Sequence, residues 1–120
     1  MDTVSTANAE HYHWGQACDG WHLLATGDLS VIEERMPPGS FERRHRHLHA
    51  RQFFYVLDGE AILEVEGTLH RLRRGEGLHV PPQSAHQMRN DSDADVRFIV
   101  VSAPRSHGDR VDAPTEEGTT

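Results

Sequence analysis

Apolar and polar residues alternate in short runs along the chain, a pattern typical of strands, and helix has little support. The clearest case is the pair of runs 52–57 and 60–66, separated by Asp58 and Gly59, a dipeptide typical of a hairpin turn. Glycine and proline separate the other runs at intervals typical of an all-β sandwich or barrel. The predicted strands are 21–24, 29–36, 52–57, 60–66, 68–72, 78–80, 86–90 and 96–102.

The chain of 120 residues is long enough for one domain. We expect residues 21–102 to form the barrel. The N-terminal segment 1–20 is more weakly patterned, but Trp14 and Trp21 suggest that the stretch between them docks, as an edge strand or as a strand exchanged with a second copy. Residues 103–120 are rich in Pro, Gly, Ser, Thr and charged residues, which predicts a polar C-terminal tail.

Charge and cysteine content narrow the classes of partner. The formal net charge is −7, and the arginines are interleaved with acids, so nucleic acid is a poor partner. No apolar run approaches the roughly 20 residues that span a bilayer, and the polar N-terminus lacks the features of a secretory leader, so we expect no membrane association. Cys18 is the single cysteine, which rules out an intramolecular disulfide. These features favour a cytoplasmic protein.

Ten histidines are the unusual feature of the composition, because imidazole is the commonest metal ligand in proteins. His45 and His47 are separated by one residue, and on a strand such residues share a face and can converge on one ion. The pairs His11 with His13 and His47 with His49 have the same spacing. Spacing alone therefore does not identify a metal site, and a second signal is needed.

That second signal is the wider pattern of glycine, histidine and proline around the pair. One set, with five, one, four and six residues between its members, is Gly39, His45, His47, Gln52 and Gly59. A second set, with five, one, two and three residues between its members, is Gly75, Pro81, Gln83, His86 and Asn90. The two sets resemble the two motifs of the cupin superfamily, which usually has Glu at the place of Gln52 and Gly at the place of Gln83.

The resemblance covers about residues 21–102 and implies an all-β jelly-roll barrel, the double-stranded β-helix, with both motifs inside its lumen. It implies one divalent transition-metal ion per chain, of Fe, Mn, Ni, Zn or Cu, held by His45, His47, Gln52 and His86. The alternative is a metal-free barrel whose histidines only line a cavity. We expect the walls of the pocket to be formed by Phe54, His79, Met88 and Phe98.

An amide at position 52 changes the expected chemistry. Two imidazoles and a carboxylate suit oxygen-activating iron, whereas the neutral Gln52 leaves a divalent ion its full charge as a Lewis acid. This favours an isomerase, lyase or cyclase acting on a small carbonyl- or carboxylate-bearing metabolite. The alternatives are a metal-dependent dioxygenase and a non-catalytic small-molecule sensor. The residue that moves a proton is not determined, because the inward face of the strand carrying Glu33, Glu34 and Arg35 cannot be assigned.

Two further expectations concern the remaining surface. Exposed strand edges favour pairing between protomers, and the resemblance implies the same, so we expect a homodimer. Outside the two motifs, His49 is expected at the surface, and solvated side chains are expected for five histidines without a ligand partner at suitable spacing: His11, His13, His22, His70 and His107.

Overall fold

The computed structural model describes residues 2–106 and 108–114, which form eleven β-strands and, within those ranges, no helix. The strands are β1 Glu10–Trp14, β2 Cys18–Ala25, β3 Ser30–Met36, β4 His45–His47, β5 Arg51–Asp58, β6 Glu60–Val65, β7 Thr68–Arg73, β8 Gly77–Val80, β9 His86–Arg89, β10 Val96–Ala103 and β11 Arg110–Asp112. The described ranges therefore contain no helix that is long and apolar enough to cross a membrane.

The strands form two antiparallel sheets. One has six strands in the order β1-β2-β3-β10-β5-β8, and the other has five in the order β11-β4-β9-β6-β7. Buried apolar side chains of both sheets form one core cluster, so the core lies between the sheets. The predicted all-β jelly-roll class is confirmed.

Every predicted strand has a counterpart, the structure adds the short strand β4 to the predicted runs, and the other differences fall at the two ends. The first predicted run, 21–24, lies in the second half of β2, which begins at Cys18 and pairs with β1 over residues 18–22. Within the predicted tail 103–120, residues Arg110–Asp112 form β11 and pair with β4. His107 and residues 115–120 lie outside the described residues.

Alternation of side chains on the two central strands directs polar groups into the lumen. In β5 the inward positions are Gln52, Phe54 and Val56, and in β10 they include Val100 and Ser102. Ser102 lies directly opposite Gln52 in the strand register. The inward face of these strands is therefore apolar at Phe54, Val56 and Val100 and becomes polar at the pair Gln52 and Ser102.

Two turns explain why particular residues stand in the motifs. Gly59 has φ +81, and a Cβ there would collide with the carbonyl oxygen of Asp95, so the β5–β6 hairpin requires glycine. Gln83 stands where the family usually has glycine, and it too is left-handed, with φ 68. Its backbone N–H donates to the carbonyl oxygen of His47 at 2.7 Å, which ties this turn to β4.

Candidate metal centre

Three imidazoles meet in the lumen, all from the five-stranded sheet. His45 on β4 lies opposite His86 on β9, and His47 follows two residues along β4, on the same face. One ring nitrogen from each residue lies within 4.8 Å of the others. The side chains are almost completely buried, with 4%, 6% and 1% exposure for His45, His47 and His86.

Backbone carbonyls orient two of these rings. His45 Nδ1 donates to the carbonyl oxygen of Arg43 at 2.7 Å, and His86 Nδ1 donates to that of Ser84 at 2.9 Å. In a neutral imidazole the other nitrogen then carries the lone pair. Both Nε2 atoms are therefore acceptors, the form in which histidine binds a metal ion.

Gln52 reaches the same place from the opposite sheet. Its amide group donates to Ser102 Oγ at 3.0 Å, which directs the amide oxygen towards His86. That oxygen, Oε1, lies 3.1 Å from His86 Nε2. In this orientation two acceptors face each other without a proton between them, an arrangement that a cation stabilises.

Burial keeps the three imidazoles uncharged. Desolvation lowers the pKa of His45 to about 3 and that of His47 to about 4, and it also lowers the pKa of His86. Each imidazolium would also repel the other two, which acts in the same direction. At neutral pH the cluster is a set of neutral nitrogen donors that need no deprotonation to bind a metal ion.

His47 Nδ1 adds a further indication that the cluster suits a metal. This atom is buried, and it has no hydrogen-bond partner among the residues that the structure describes. An unpartnered buried polar atom costs about 1–3 kcal/mol, so such atoms are rare in stable folds. Three neutral imidazoles and an amide oxygen form a set that accepts divalent transition-metal ions, and the residues present therefore fit the ion that the motifs imply.

A cavity of about 270 Å³ adjoins the histidines. Its apolar lining is formed by Ile32, Phe54 and Val100. Its ionisable and polar lining is formed by Tyr12, Glu34, Glu42, Ser106 and Arg110. Glu42 lies close to the imidazoles, with Oε2 3.9 Å from His45 Nδ1, so a ligand in the cavity would meet imidazole and carboxyl groups together.

Both carboxyl groups that line the cavity, Glu34 and Glu42, have raised pKa values. Burial raises the pKa of Glu34 to about 7 and that of Glu42 to about 8, the latter with repulsion from Glu34 as a second cause. Tyr12 Oη donates to Glu34 Oε2 at 3.1 Å. Glu42 Oε1 accepts from the backbone N–H of Met88 at 3.1 Å. Glu34 thus titrates near neutrality in a fixed position facing the cavity.

Arg44 and Glu64 form a buried ion pair next to the strands that carry the histidines. Arg44 donates from Nε to Glu64 Oε1 at 2.7 Å and from an Nη atom to Oε2 at 3.0 Å. The same guanidinium donates to the carbonyl oxygen of Ala113 at 2.8 Å, just after β11. The guanidinium of Arg44 therefore links the start of β4 to β6 and to the residue after β11, close to His45 and His47.

The structure brings together the four residues predicted as metal ligands, but only one of the four predicted wall residues lines the cavity. Phe54 does so. His79 is exposed, because it pairs with outward-facing Phe53 in the strand register. Met88 and Phe98 point inward but are buried in the apolar core, so their prediction as cavity walls is corrected.

One group at the site had no sequence signal. Ser106, Gly108 and Arg110 line the cavity although they belong to the predicted tail, because β11 pairs with β4 and brings them over the site. A strand of three residues is too short to show periodicity. His11 and His13, expected to be solvated, are exposed, and they also contact Asp19.

Comparison with known proteins supports the same fold. A family model described as "Cupin domain" matches residues 32–102. The solved structure of the polyketide cyclase RemF from Streptomyces resistomycificus superposes with a TM-score of 0.81, at 17% identity, over 98% of this chain and 88% of that one. At this level of identity the likeness concerns the fold alone.

Two curated relatives reach higher identity over shorter stretches. The polyketide synthase CurC of Streptomyces cyaneus is 30% identical over 58% of this chain and 45% of its own length. The quercetin 2,3-dioxygenase of Bacillus subtilis is 32% identical over 55% of this chain and 20% of its own length. The chain thus spans less than half the length of these two relatives.

Proposed function

The chain belongs to the cupin domain family, and from that premise we propose that His45, His47, His86 and Gln52 bind one divalent transition-metal ion. The observation that carries this proposal is the convergence of four neutral donors from two sheets, with two acceptors facing each other at 3.1 Å. None of the four donors is a carboxylate. The ion would therefore keep its full charge, and it would polarise a substrate carbonyl or carboxylate oxygen as a Lewis acid.

We propose further that the protein is an isomerase, lyase or cyclase for a small metabolite. A cavity of about 270 Å³ lies at the lower end of ligand pockets, which favours a compact substrate. Its apolar wall suits a partly hydrophobic skeleton, and the histidine end suits an oxygen-bearing group. The names of two relatives, polyketide synthase CurC and polyketide cyclase RemF, are consistent with chemistry at a carbonyl.

Glu34 is the residue that we propose to move the proton. A general base or acid works best with a pKa near the working pH, and burial raises the pKa of Glu34 to about 7. The hydrogen bond from Tyr12 fixes the carboxyl group and stabilises its charged form. The carboxylate can take a proton from a carbon next to a polarised carbonyl and return it elsewhere on the same substrate.

Two other functions use the same residues. A dioxygenase is supported by the similarity to quercetin 2,3-dioxygenase and by the suitability of imidazole ligands for iron, nickel and copper. A sensor would bind its ligand through the ion without turnover. The reaction class is therefore decided by experiment.

The ligand set is tested by metal analysis of the purified chain after loading with Zn²⁺ and dialysis. We expect His47→Ala to carry one equivalent less than the wild type and Gln52→Ala to release its ion at a lower chelator concentration. The matched control is His49→Ala, because His49 is an exposed histidine two residues further along the chain. Equal metal content in all four proteins, once circular dichroism shows that they are folded, would refute the ligand assignment.

The reaction class is tested with a panel of enolisable keto acids and hydroxy acids in D₂O. Proton NMR should show deuterium entering the α-position of a substrate, while an oxygen electrode records no uptake. Glu34→Gln should slow the exchange by about 10²–10⁴-fold with unchanged metal content. Glu33→Gln is the control, since Glu33 pairs with Arg97 at 2.9 Å and does not line the cavity. Oxygen uptake would support the dioxygenase, and tight binding without exchange would support the sensor.

We also propose a homodimer that packs through the outer face of the six-stranded sheet. Phe53, Tyr55 and Leu57 project there with 43%, 39% and 38% exposure, beside Val101 and Ile99 on β10. A contiguous apolar face of this kind favours association, and a second copy offers the same face in return. Light scattering should give the mass of a dimer for the wild type and of a monomer for Tyr55→Arg. A monomeric wild type would refute this proposal.

A further inference from the structure

A second histidine cluster lies on the edge strand of the six-stranded sheet, on different strands from the lumen site. His11 and His13 alternate on β1 and project to one side of it, and Asp19 on β2 is the direct cross-strand partner of His13. We propose that His11, His13 and Asp19 form a second binding site for a divalent transition-metal ion.

One ligand atom from each of the three residues lies within 4.8 Å of the others, close enough to converge on one ion in place of the hydrogen bond between His11 and Asp19. His11 Nε2 lies 2.7 Å from Asp19 Oδ1, and His13 Nδ1 lies 3.2 Å from the same oxygen. The two imidazole rings are 4.6 Å apart and nearly perpendicular. Two nitrogens and one oxygen on one side of a common point leave further positions open to water, as three-ligand metal sites do.

Asp19 is held so that one of its oxygens stays directed at the histidines. Arg35 Nε donates to Asp19 Oδ2 at 2.7 Å, leaving Oδ1 for the imidazoles. Arg35 is itself fixed by Asp95 at 3.1 Å and by the carbonyl oxygen of Ala17 at 2.8 Å. Such support around a metal-binding carboxylate orients it and strengthens binding.

The charges at the cluster favour a cation in spite of the arginine. Asp19 and Asp95 contribute two negative charges and Arg35 one positive charge, so this group keeps one net negative charge beside the two imidazoles. Hydrogen bonds from His11 and Arg35 lower the pKa of Asp19 although its partial burial alone would raise it, so the carboxylate is charged at neutral pH. The site therefore offers the charge of a carboxylate without requiring its deprotonation.

The donor types define the class of ion. Imidazole nitrogens suit zinc, nickel, copper and cobalt, whereas magnesium and calcium prefer oxygen ligands throughout. His13 is 78% exposed and His11 36%, so an ion can enter directly from solvent. His11 also packs against Trp21, with ring centroids 5.2 Å apart, which restricts its orientation.

The test is a titration of the full, metal-stripped chain with ZnCl₂, followed by isothermal calorimetry at neutral pH. His13→Gln and Asp19→Asn should each bind one equivalent less than the wild type. The matched control is His79→Gln, because His79 is an exposed histidine on β8, the opposite edge of the same sheet. It should bind as the wild type does.

A spectroscopic measurement locates the ion independently of the lumen site. Ni²⁺ added beyond the one equivalent that the lumen site takes should broaden the NMR signals of the imidazole protons of His11 and His13 in the wild type, and substoichiometric Ni²⁺ should do so in the His47→Ala variant. Unchanged stoichiometry in His13→Gln, an equal loss in His79→Gln, or no broadening at His11 and His13 would overturn the proposal. Failure of the lumen site would appear separately, as a His47→Ala variant that binds as many ions as the wild type.

Discussion

The same sequence element, two histidines separated by one residue, occurs in two opposite environments in this protein. His45 and His47 point into the lumen and meet a third imidazole; His45 Nδ1 donates to a backbone carbonyl, and His47 Nδ1 is buried without a partner among the described residues. His11 and His13 point away from the sheet edge and meet a carboxylate. In both places the strand period brings the rings together, and the neighbouring strand decides what they meet.

The difference shows how burial replaces charge in preparing a metal site. In the lumen, desolvation keeps the imidazoles neutral, and no carboxylate belongs to the set that we propose for the ion. At the edge, a carboxylate supplies the attraction that exposure to water would otherwise weaken. We expect loss of a lumen donor to lower the stability of the fold and loss of an edge donor to change it little.

The largest effect is expected from the ion pair beneath the lumen site. Arg44→Met leaves the Glu64 carboxylate buried, with 10% side-chain exposure and without its guanidinium. Removing one partner of a buried pair costs about 3–5 kcal/mol, and we expect a loss of about 3 kcal/mol in the free energy of unfolding by urea. Bound metal should decrease as well, because Arg44 fixes the strand that carries His45 and His47.

An exposed ion pair of the same geometry serves as the control. Arg71 Nε donates to Glu60 at 2.8 Å, but the side chains are 56% and 35% exposed. Arg71→Met should therefore change the stability by about 0.5 kcal/mol or less. Equal losses in Arg44→Met and Arg71→Met would contradict the importance that we assign to burial.

The two histidine pairs also show what the sequence could and could not determine. The motif glycines, Pro81 and the spacing of His45, Gln52 and His86 carried the resemblance to the cupin superfamily, and that resemblance implied the fold and the four residues that converge. The partner of His11 and His13 could not be predicted in this way. Asp19 reaches them through the β1–β2 register, and the edge or exchanged strand expected within residues 1–20 had no bounds or register that could be read from the sequence.

The same reasoning explains the differences around the cavity. Parity on β8 could not be fixed from four residues, so His79 was placed inward when it points outward. Glu33 and Glu34 alternate on β3, and only the pairing of β3 with β10 decides that Glu34 faces the lumen. Residues brought together by non-local pairing are the ones that require a structure.

The next largest effect is the dependence of stability on pH in the metal-stripped protein. The lumen histidines have pKa values below the ordinary 6.5, to about 3 for His45 and about 4 for His47, so the unfolded chain binds more protons below about pH 6.5 and stability falls as the pH falls. Glu34 and Glu42 have pKa values raised from 4.5 to about 7 and about 8, so the folded chain binds more protons above about pH 4.5 and stability falls as the pH rises.

Below about pH 6.5, unfolding lets the three histidines bind more protons than the two glutamates release. Between about pH 6.5 and 8, the protons that the two glutamates release on unfolding dominate. The melting temperature in the presence of chelator should therefore be highest near pH 6.5 and fall in both directions. Glu34→Gln should flatten the decrease between about pH 6.5 and 8, since one of the two titrating carboxyls is removed. A melting temperature that rises steadily to pH 8 would contradict the burial of these acids.

The smallest effect is expected at the edge cluster, and it separates metal binding from folding. The side chain of His13 is 78% exposed, and substitutions at such surface positions usually change the free energy of unfolding by no more than about 0.5 kcal/mol. His13→Gln should stay within that limit in urea unfolding of the metal-free chain, because Asp19 keeps its stronger partner Arg35 at 2.7 Å. Added Zn²⁺ should then raise the stability of the wild type more than that of the variant, since an ion that binds only the folded state stabilises it by mass action. If His13→Gln lost several kcal/mol without metal, the cluster would be part of the fold's support, and the contrast between a site that depends on burial and one that depends on charge would fail.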